Sequence, residues 1–177
     1  MGKTNMPNYT EKKQHGFTLI ELLLYMIIVS SLLVGVTLFY ATASDSRIKN
    51  QSISEVNQQG AFIMGKITQS IRNADNIVAP ALAASDSILT IAVPTAALSP
   101  TTFSLSGTNI LMKEGTGAEV ALNSNTVQIQ NLVFKNLSSS TTQGHIQVSF
   151  DVKRVNTNGR GAYDFQKTFV SSGELQW

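Results

Sequence analysis

The feature that most constrains this chain is an apolar segment near its N-terminus. From Leu22 to Ala43 the sequence runs for 22 residues without a formal charge. As an α-helix with a rise of about 1.5 Å per residue, such a segment spans roughly 33 Å, which is enough to cross a hydrocarbon core of about 30 Å. The sequence therefore predicts a membrane-spanning helix.

The charges on either side of this segment predict its orientation. Lys12 and Lys13 precede it, and Asp45 is the first charged residue after it. Because short cytoplasmic flanks carry the excess of Lys and Arg, we expect residues 1–16 in the cytoplasm and the body of the chain outside it. The net charge of +2 belongs to those first sixteen residues, and the remaining 161 residues are balanced. A balanced body argues against a broad nucleic-acid-binding face, which needs clustered Lys and Arg.

Glu21 is a carboxylate at the start of the apolar segment. A charge inside a membrane costs about 2.5–3.5 kcal/mol at the centre and less near an end, so such residues usually face a partner. The sequence has no Lys or Arg between Lys13 and Arg47. A cut before Phe17 would create an α-amino group four residues from Glu21, and the same cation on a neighbouring copy could neutralise the acid. This pattern predicts that Glu21 sets the register of helix packing.

The stretch KKQHGFTLIELLLYMIIV resembles the class III signal of type IV pilins and type II secretion pseudopilins. It has a short basic leader that ends in Gly16, then Phe17, then Glu21, then about twenty apolar residues. The resemblance implies that a prepilin peptidase cuts between Gly16 and Phe17 and N-methylates Phe17. It also implies that Glu21 meets the Phe17 amine of a neighbouring subunit during filament assembly.

The resemblance further implies the partners and the location of the chain. The apolar helix would lie first in the lipid of the inner membrane and then in the filament core, with the remaining residues outside the cytoplasm. The expected partners are the prepilin peptidase, other pilin or pseudopilin subunits, the inner-membrane assembly platform and membrane lipid. The chain has no proline between Pro7 and Pro80 and no cysteine. Many major type IV pilins carry a proline in the second half of this apolar segment, and many close a C-terminal loop with two cysteines. These absences therefore favour a minor pilin or a pseudopilin.

Other interpretations of the N-terminal segment stay open at this stage. A cleavable signal peptide could end at Ala41–Ser44 and precede a secreted hydrolase, and a plain anchor would stay uncleaved. Within the pilin class, the chain could be a major pilin. It could also be a membrane-anchored adhesin or DNA-uptake module, and the basic residues Lys153, Arg154 and Arg160 around one turn are the only hint of a DNA contact.

Beyond Ala43 the sequence predicts that the helix continues with a narrow apolar stripe. The stripe consists of five residues at helical spacing: Ile48, Val56, Ile63, Ile67 and Ile71. Polar residues fill the other faces, so we expect one helix from about Phe17 to about Ala74. Gly60 and Gly65 would mark close contact with a sheet, or a bend.

From Ile77 the apolar period becomes two, which is typical of strands joined by hairpins. The predicted strands are Ser87–Val93, Thr101–Ser106, Asn109–Glu114, Ala118–Leu122, Thr126–Asn136, Gly144–Arg154 and Tyr163–Ser171. A β-bulge near Gln130–Asn131 would bring four apolar side chains to one face. The predicted fold class is therefore α+β, with a long N-terminal helix packed on an antiparallel sheet.

The predicted organisation has four parts. They are a leader at 1–16, an apolar helix at 17–44, an amphipathic helix at 45–76 and a β-sheet head at 77–177. Two strands of the head, within 127–137 and 145–154, look like the C-terminal part of minor pilins and pseudopilins of the J or W type.

The sequence offers little catalytic chemistry. It has no cysteine, only two histidines (His15 and His145), no G-x-S-x-G turn and no phosphate-binding glycine loop. The acidic residues of the body are scattered, and no D-x-D cluster predicts a metal site. We therefore expect no enzyme activity, no cofactor and no metal. Trp177, the only tryptophan, could be a subunit contact or could cap a sheet edge.

Overall fold

The computed structural model describes residues 16–139, 144–156, 159 and 161–176. Within these residues one α-helix, α1 (Leu19–Arg72), precedes nine strands. The strands are β1 (Asn76–Ala79), β2 (Ser85–Asp86), β3 (Leu89–Ala92), β4 (Thr101–Ser106), β5 (Asn109–Glu114), β6 (Val120–Ala121), β7 (Val127–Asn136), β8 (His145–Arg154) and β9 (Gln166–Glu174). Two compact units separate between Ala43 and Ser44. The predictions for the leader up to His15, for Arg160 and for Trp177 fall outside the described residues.

The amphipathic part of α1 provides one wall of the core of the second unit. Val56, Ile63, Ile67 and Ile71 are completely buried, at intervals of seven, four and four residues. Ile48 is only half-buried, because the stripe becomes fully covered from Ser52 onward. The predicted apolar stripe is therefore confirmed except at its first member.

The strands form two antiparallel sheets. One has five strands in the order β1-β3-β4-β5-β6, and the other has four in the order β2-β7-β8-β9. The predicted α+β class with a helix on antiparallel structure is confirmed, but the strands divide between two sheets where the sequence predicts one. Hairpin periodicity shows that strands alternate, and it does not show which of them share a ladder.

A buried polar junction connects the two sheets between β5 and β7. The Ile129 amide donates to the Thr108 carbonyl at 2.9 Å. Asn123, which is only 8% exposed, accepts from the Ile110 amide at 2.9 Å, and its own amide lies 3.2 Å from the Val127 carbonyl. Buried polar groups need such partners, so the junction holds the sheets together without leaving Asn123 unsatisfied.

The bulge in β7 is confirmed. The β7–β8 register shifts between Gln130 and Val133, and Asn131 has a positive φ of 54°. Asparagine tolerates this left-handed conformation better than most residues. As a result four apolar side chains of β7 point into the core: Val127, Ile129, Leu132 and Phe134. The alternation of β8, with every second side chain buried, is also confirmed.

Strand β9 runs alongside α1 in the same direction. It begins at Gln166 and ends at Glu174, three residues later at each end than predicted. The start is later because residues 161–163 form a short 3₁₀ turn. Near its start, the Lys167 ammonium donates to Asn57 Oδ1 at 2.7 Å. Phe169 lies against Gly60, and Gly173 lies against Ile71.

The two helix glycines differ in what surrounds them. A Cβ at Gly60 would lie 2.2 Å from the Phe169 ring, whereas a Cβ at Gly65 would meet nothing within 4 Å. Close contact with the sheet, one of the two predicted roles, is therefore found at Gly60 and absent at Gly65.

This difference predicts opposite effects of the same substitution. Gly60→Ala should lower the free energy of unfolding by about 1–3 kcal/mol, because the added methyl group collides with the Phe169 ring. Gly65→Ala should raise it by up to about 1 kcal/mol, because alanine has the higher helix propensity and the site is open. Thermal and urea unfolding of the detergent-solubilised chain would measure both. Equal effects at the two positions would contradict the assigned contact.

Candidate functional site

The peptide bond between Gly16 and Phe17 lies just outside the helix. Residues 16–18 have no regular structure, and α1 begins at Leu19. Gly16 has no neighbour within 4 Å of a built Cβ, and Phe17 is 75% exposed. An exposed bond in irregular backbone is one that a peptidase can bind in an extended conformation without first unwinding a helix.

Thr18 caps the helix and contacts the residue that carries the acid. The Glu21 amide donates to Thr18 Oγ1 at 3.3 Å. The pattern Thr18-x-x-Glu21 is that of a capping box, in which an N-cap hydroxyl and the residue three positions later satisfy free amides of the first turn. Our sequence reasoning missed Thr18, although this spacing was the available signal. A carboxylate in the first turn also interacts favourably with the helix dipole.

The cap places the Glu21 amide in a hydrogen bond, but it supplies no positive charge to pair with the Glu21 carboxylate. Glu21 is the only residue with a charged side chain between Gly16 and Ala43. Within this segment the Glu21 carboxylate therefore has no cationic side chain to pair with.

The helix that follows presents apolar side chains all round. Its large hydrophobic residues from Leu22 to Tyr40 are each at least 46% exposed, and an 18-residue window within α1 has a mean hydropathy of 2.5. In length and composition α1 is a helix that can cross a membrane. A helix that is apolar on every side suits lipid or the interior of a helical bundle.

The hydroxyl groups of this segment are satisfied within the helix itself. Ser30 donates to the Met26 carbonyl at 2.7 Å, and Thr37 donates to the Leu33 carbonyl at 2.8 Å. Ser31 bonds the carbonyl three residues earlier, and Thr42 bonds the one four residues earlier. The hydroxyls therefore do not depend on contacts with another helix for hydrogen bonding.

Comparison with known proteins gives one match, and it falls on this site. Residues 12–37 match the model of the prokaryotic N-terminal methylation motif. This motif is the class III prepilin signal of type IV pilins and pseudopilins. No curated protein and no solved structure matches the chain.

The match covers 26 of the 177 residues. It supports a pilin- or pseudopilin-type protein that is processed as a prepilin, which indicates a structural subunit. The motif and the long apolar helix together support membrane anchoring. The match does not extend to the second unit, from Ser44 onward, so that unit is described from its structure alone.

The basic residues that hinted at a DNA contact are already engaged by acids where the structure describes them. Lys153 lies 3.9 Å from Asp164, and Arg154 forms an ion pair with Glu55 of α1. The Arg154 and Glu55 side chains are 14% and 23% exposed, so this pair ties β8 to α1 in a largely desolvated setting. Such cations are poorly placed to meet a phosphate backbone.

His145 has an acidic partner across the sheet. Its Nδ1 lies 2.8 Å from Glu174 Oε1 on β9. No group of three or more metal-ligating side chains occurs among the described residues.

Asp151 sits in a hydrogen-bonded group on the outer face of the four-stranded sheet. Thr168 Oγ1 donates to its carboxylate at 2.5 Å, and the Asn131 amide donates at 2.7 Å. The Thr168 hydrogen bond, and after it the Asn131 hydrogen bond, hold the pKa of Asp151 below its usual value of 3.8. This group ties the β7 bulge to β8 and β9.

The lowered pKa of Asp151 predicts a pH-dependent contribution to stability. The contribution should be complete above about pH 4 and should disappear as the pH falls through the lower pKa of the folded state. Asp151→Asn should therefore lower the melting temperature near pH 6 by only about 1–2 °C, because solvent screens the group. The difference from the parent should vanish near pH 2. Thr168→Val should reproduce the loss, and a difference that grew on acidification would contradict the assignment.

Proposed function

We propose that the chain is a minor pilin or pseudopilin of a type IV pilus or of a type II secretion-like filament. It is made as a prepilin, cleaved after Gly16, N-methylated at Phe17 and assembled through α1. The observation that carries this proposal is the methylation motif at residues 12–37, placed on an exposed apolar helix that contains a lone carboxylate. The role is structural rather than catalytic.

Processing changes the electrostatics of the helix start. Cleavage removes the basic leader and leaves an α-amino group on Phe17, whose ordinary pKa near 8 keeps it largely cationic at neutral pH. The mature chain then begins with a cation, the Phe17 amine, four residues before the Glu21 carboxylate. Before the cut the described residues give Glu21 the capping contact of Thr18 and no cation, and after the cut a pairing group exists on every subunit.

The charges of two processed helices then determine how the helices pair. Two such helices lower the cost of their charges when the Phe17 amine of one approaches Glu21 of the other in a medium of low dielectric. The contact is directional, because the amine of one subunit pairs with the acid of the next and the two groups are different. A contact between different patches propagates into a helical filament, whereas a contact between identical patches closes as a dimer.

Location follows from the same segment. We propose that the precursor lies in the inner, cytoplasmic membrane with residues 1–16 in the cytoplasm and the head outside it, as the flanking charges favour. The inner-membrane assembly platform, the prepilin peptidase and the surrounding lipid are the partners at this stage. The absence of cysteine and of a proline within α1 supports a minor pilin or pseudopilin over a major pilin.

The N-terminus of the mature chain tests the processing step. Mass spectrometry of the protein isolated from membranes should find a chain that begins with N-methylated Phe17. In a host that lacks the prepilin peptidase, the leader should remain. A start near Ser44 would indicate an ordinary signal peptide, and an unprocessed chain in the competent host would indicate a plain anchor. Either result would overturn the proposal.

Substitutions at Glu21 test the assembly step and separate charge from capping. Glu21→Gln keeps a side-chain oxygen that can accept the hydrogen bond of a capping box but removes the charge. Incorporation into filaments should fall at least tenfold, equivalent to about 1.4 kcal/mol, while membrane insertion stays unchanged. Glu21→Ala should behave in the same way, measured by quantitative immunoblotting of sheared filaments and of membranes.

Thr18→Val is the matched control for these variants, because it removes the cap hydroxyl and keeps the carboxylate. It should incorporate better than Glu21→Gln. If Glu21→Gln incorporates normally and Thr18→Val does not, the acid serves the helix start alone.

A further inference from the structure

The four sheet edges of this protein are not alike. Three of them are short or irregular: β2 and β6 have two residues each, and β1 has four residues with a register shift. Natural proteins blunt exposed edges in these ways, because an unpaired row of amides and carbonyls is a template for another strand. Strand β9 is different: it has nine residues and an uninterrupted register with β8.

The free side of β9 presents a regular row of backbone groups. At the two ends of the β8–β9 ladder, the Arg154 amide donates to the Phe165 carbonyl at 2.9 Å and the Leu175 amide donates to the Gly144 carbonyl at 3.0 Å. Because bonded and non-bonded pairs alternate in an antiparallel ladder, the odd-numbered residues of β9 bond to β8. The even-numbered residues therefore direct their amides and carbonyls outward: Gln166, Thr168, Val170, Ser172 and Glu174.

The central part of β9 lacks the side chains that protect an edge. The strand contains no proline, and its residues 168–173 carry no charge. Val170, in the middle, is 60% exposed. No strand among the described residues pairs with this side of β9.

A groove lies beside the edge, between β9 and α1. Its volume is about 570 Å³, and its lining includes Met64, Gly65, Thr68, Phe169 and Val170. The missing side chain of Gly65 contributes to its width. A strand added to β9 would direct every second side chain towards this groove, so the site favours a small or medium apolar residue at alternate positions.

We infer that the β9 edge binds an extended strand of a different pilin-type subunit, which adds to the four-stranded sheet and places apolar side chains in the groove beside α1. The inference rests on the proposed function. A second copy is the poorer occupant for two reasons. Its other edges are too short to match nine residues, and a pairing of two identical β9 edges would close as a dimer instead of extending a filament.

Hydrogen exchange at single-amide resolution tests this inference on the full-length chain. The protein is prepared in membranes from cells that make it alone and from cells of its own host that also make other pilin-type subunits. The five outward amides of β9 should exchange at least tenfold more slowly in the second preparation. The odd-numbered amides of β9 are internal controls, because β8 protects them in both.

Two pairs of variants connect this protection to the edge and the groove. Val170→Pro removes one outward N–H and leaves the bonds to β8 in place, and Val170→Thr keeps the N–H with nearly the same shape. Gly65→Leu places a larger side chain in the groove at a position where an added Cβ has open space, and Gly65→Ala is its control. Val170→Pro and Gly65→Leu should each abolish the added protection, whereas the two controls should keep it.

The outcomes separate this inference from the proposed function. Normal incorporation into filaments with no slowing of the five amides overturns the inference and leaves the proposed function intact. Protection that appears in membranes of the chain alone, and rises with its density, overturns it in favour of self-pairing. A chain that never enters filaments with its companion subunits overturns the proposed function and the inference together.

Discussion

The structure depends on one constraint, which is that a single helix must satisfy two kinds of surroundings. Along Leu22–Ala43, α1 is apolar on every side, and its hydroxyl groups bond to its own carbonyls. From Ser52 to Ile71 the same helix buries only a narrow stripe against two antiparallel sheets. The change from an all-round to a one-sided pattern needs no proline or loop, because the side chains alone specify it.

Two carboxylates of α1 lie in different surroundings. Among the described residues Glu21 has a capping contact with Thr18 and no ion pair, whereas Glu55 and Arg154 pair with each other between α1 and β8. We propose that the first carboxylate serves an interaction that processing creates, and the second fastens the helix to the sheet. In this proposal the surroundings of each acid decide whether it serves assembly or folding.

Sequence reasoning identified the features that have a local cause. The stripe of α1, the bulge at Asn131 and the alternation of β8 all follow from periods of 3.6 or 2 that neighbouring residues set. The division into two sheets was not predictable, because the period of two in each strand does not show which strands share a ladder. The contacts of Asn123 that connect the sheets join residues that are not neighbours in the sequence. The late start of β9 followed from a 3₁₀ turn at residues 161–163. At the candidate site, the roles of Gly16, Phe17 and Glu21 stay predictions, and Thr18 was missed because its hydroxyl acts on the backbone.

The internal hydroxyl bonds of the apolar segment affect the transfer of the helix from the membrane to a filament that we propose. Since Ser30, Ser31, Thr37 and Thr42 are already bonded to their own helix, moving the segment out of lipid neither breaks nor forms hydrogen bonds at these four residues. The exchange is then one apolar contact for another, with little enthalpic bias in either direction. In the assembly that we propose, the direction of transfer is therefore set by the charged start of the helix and not by these hydroxyls.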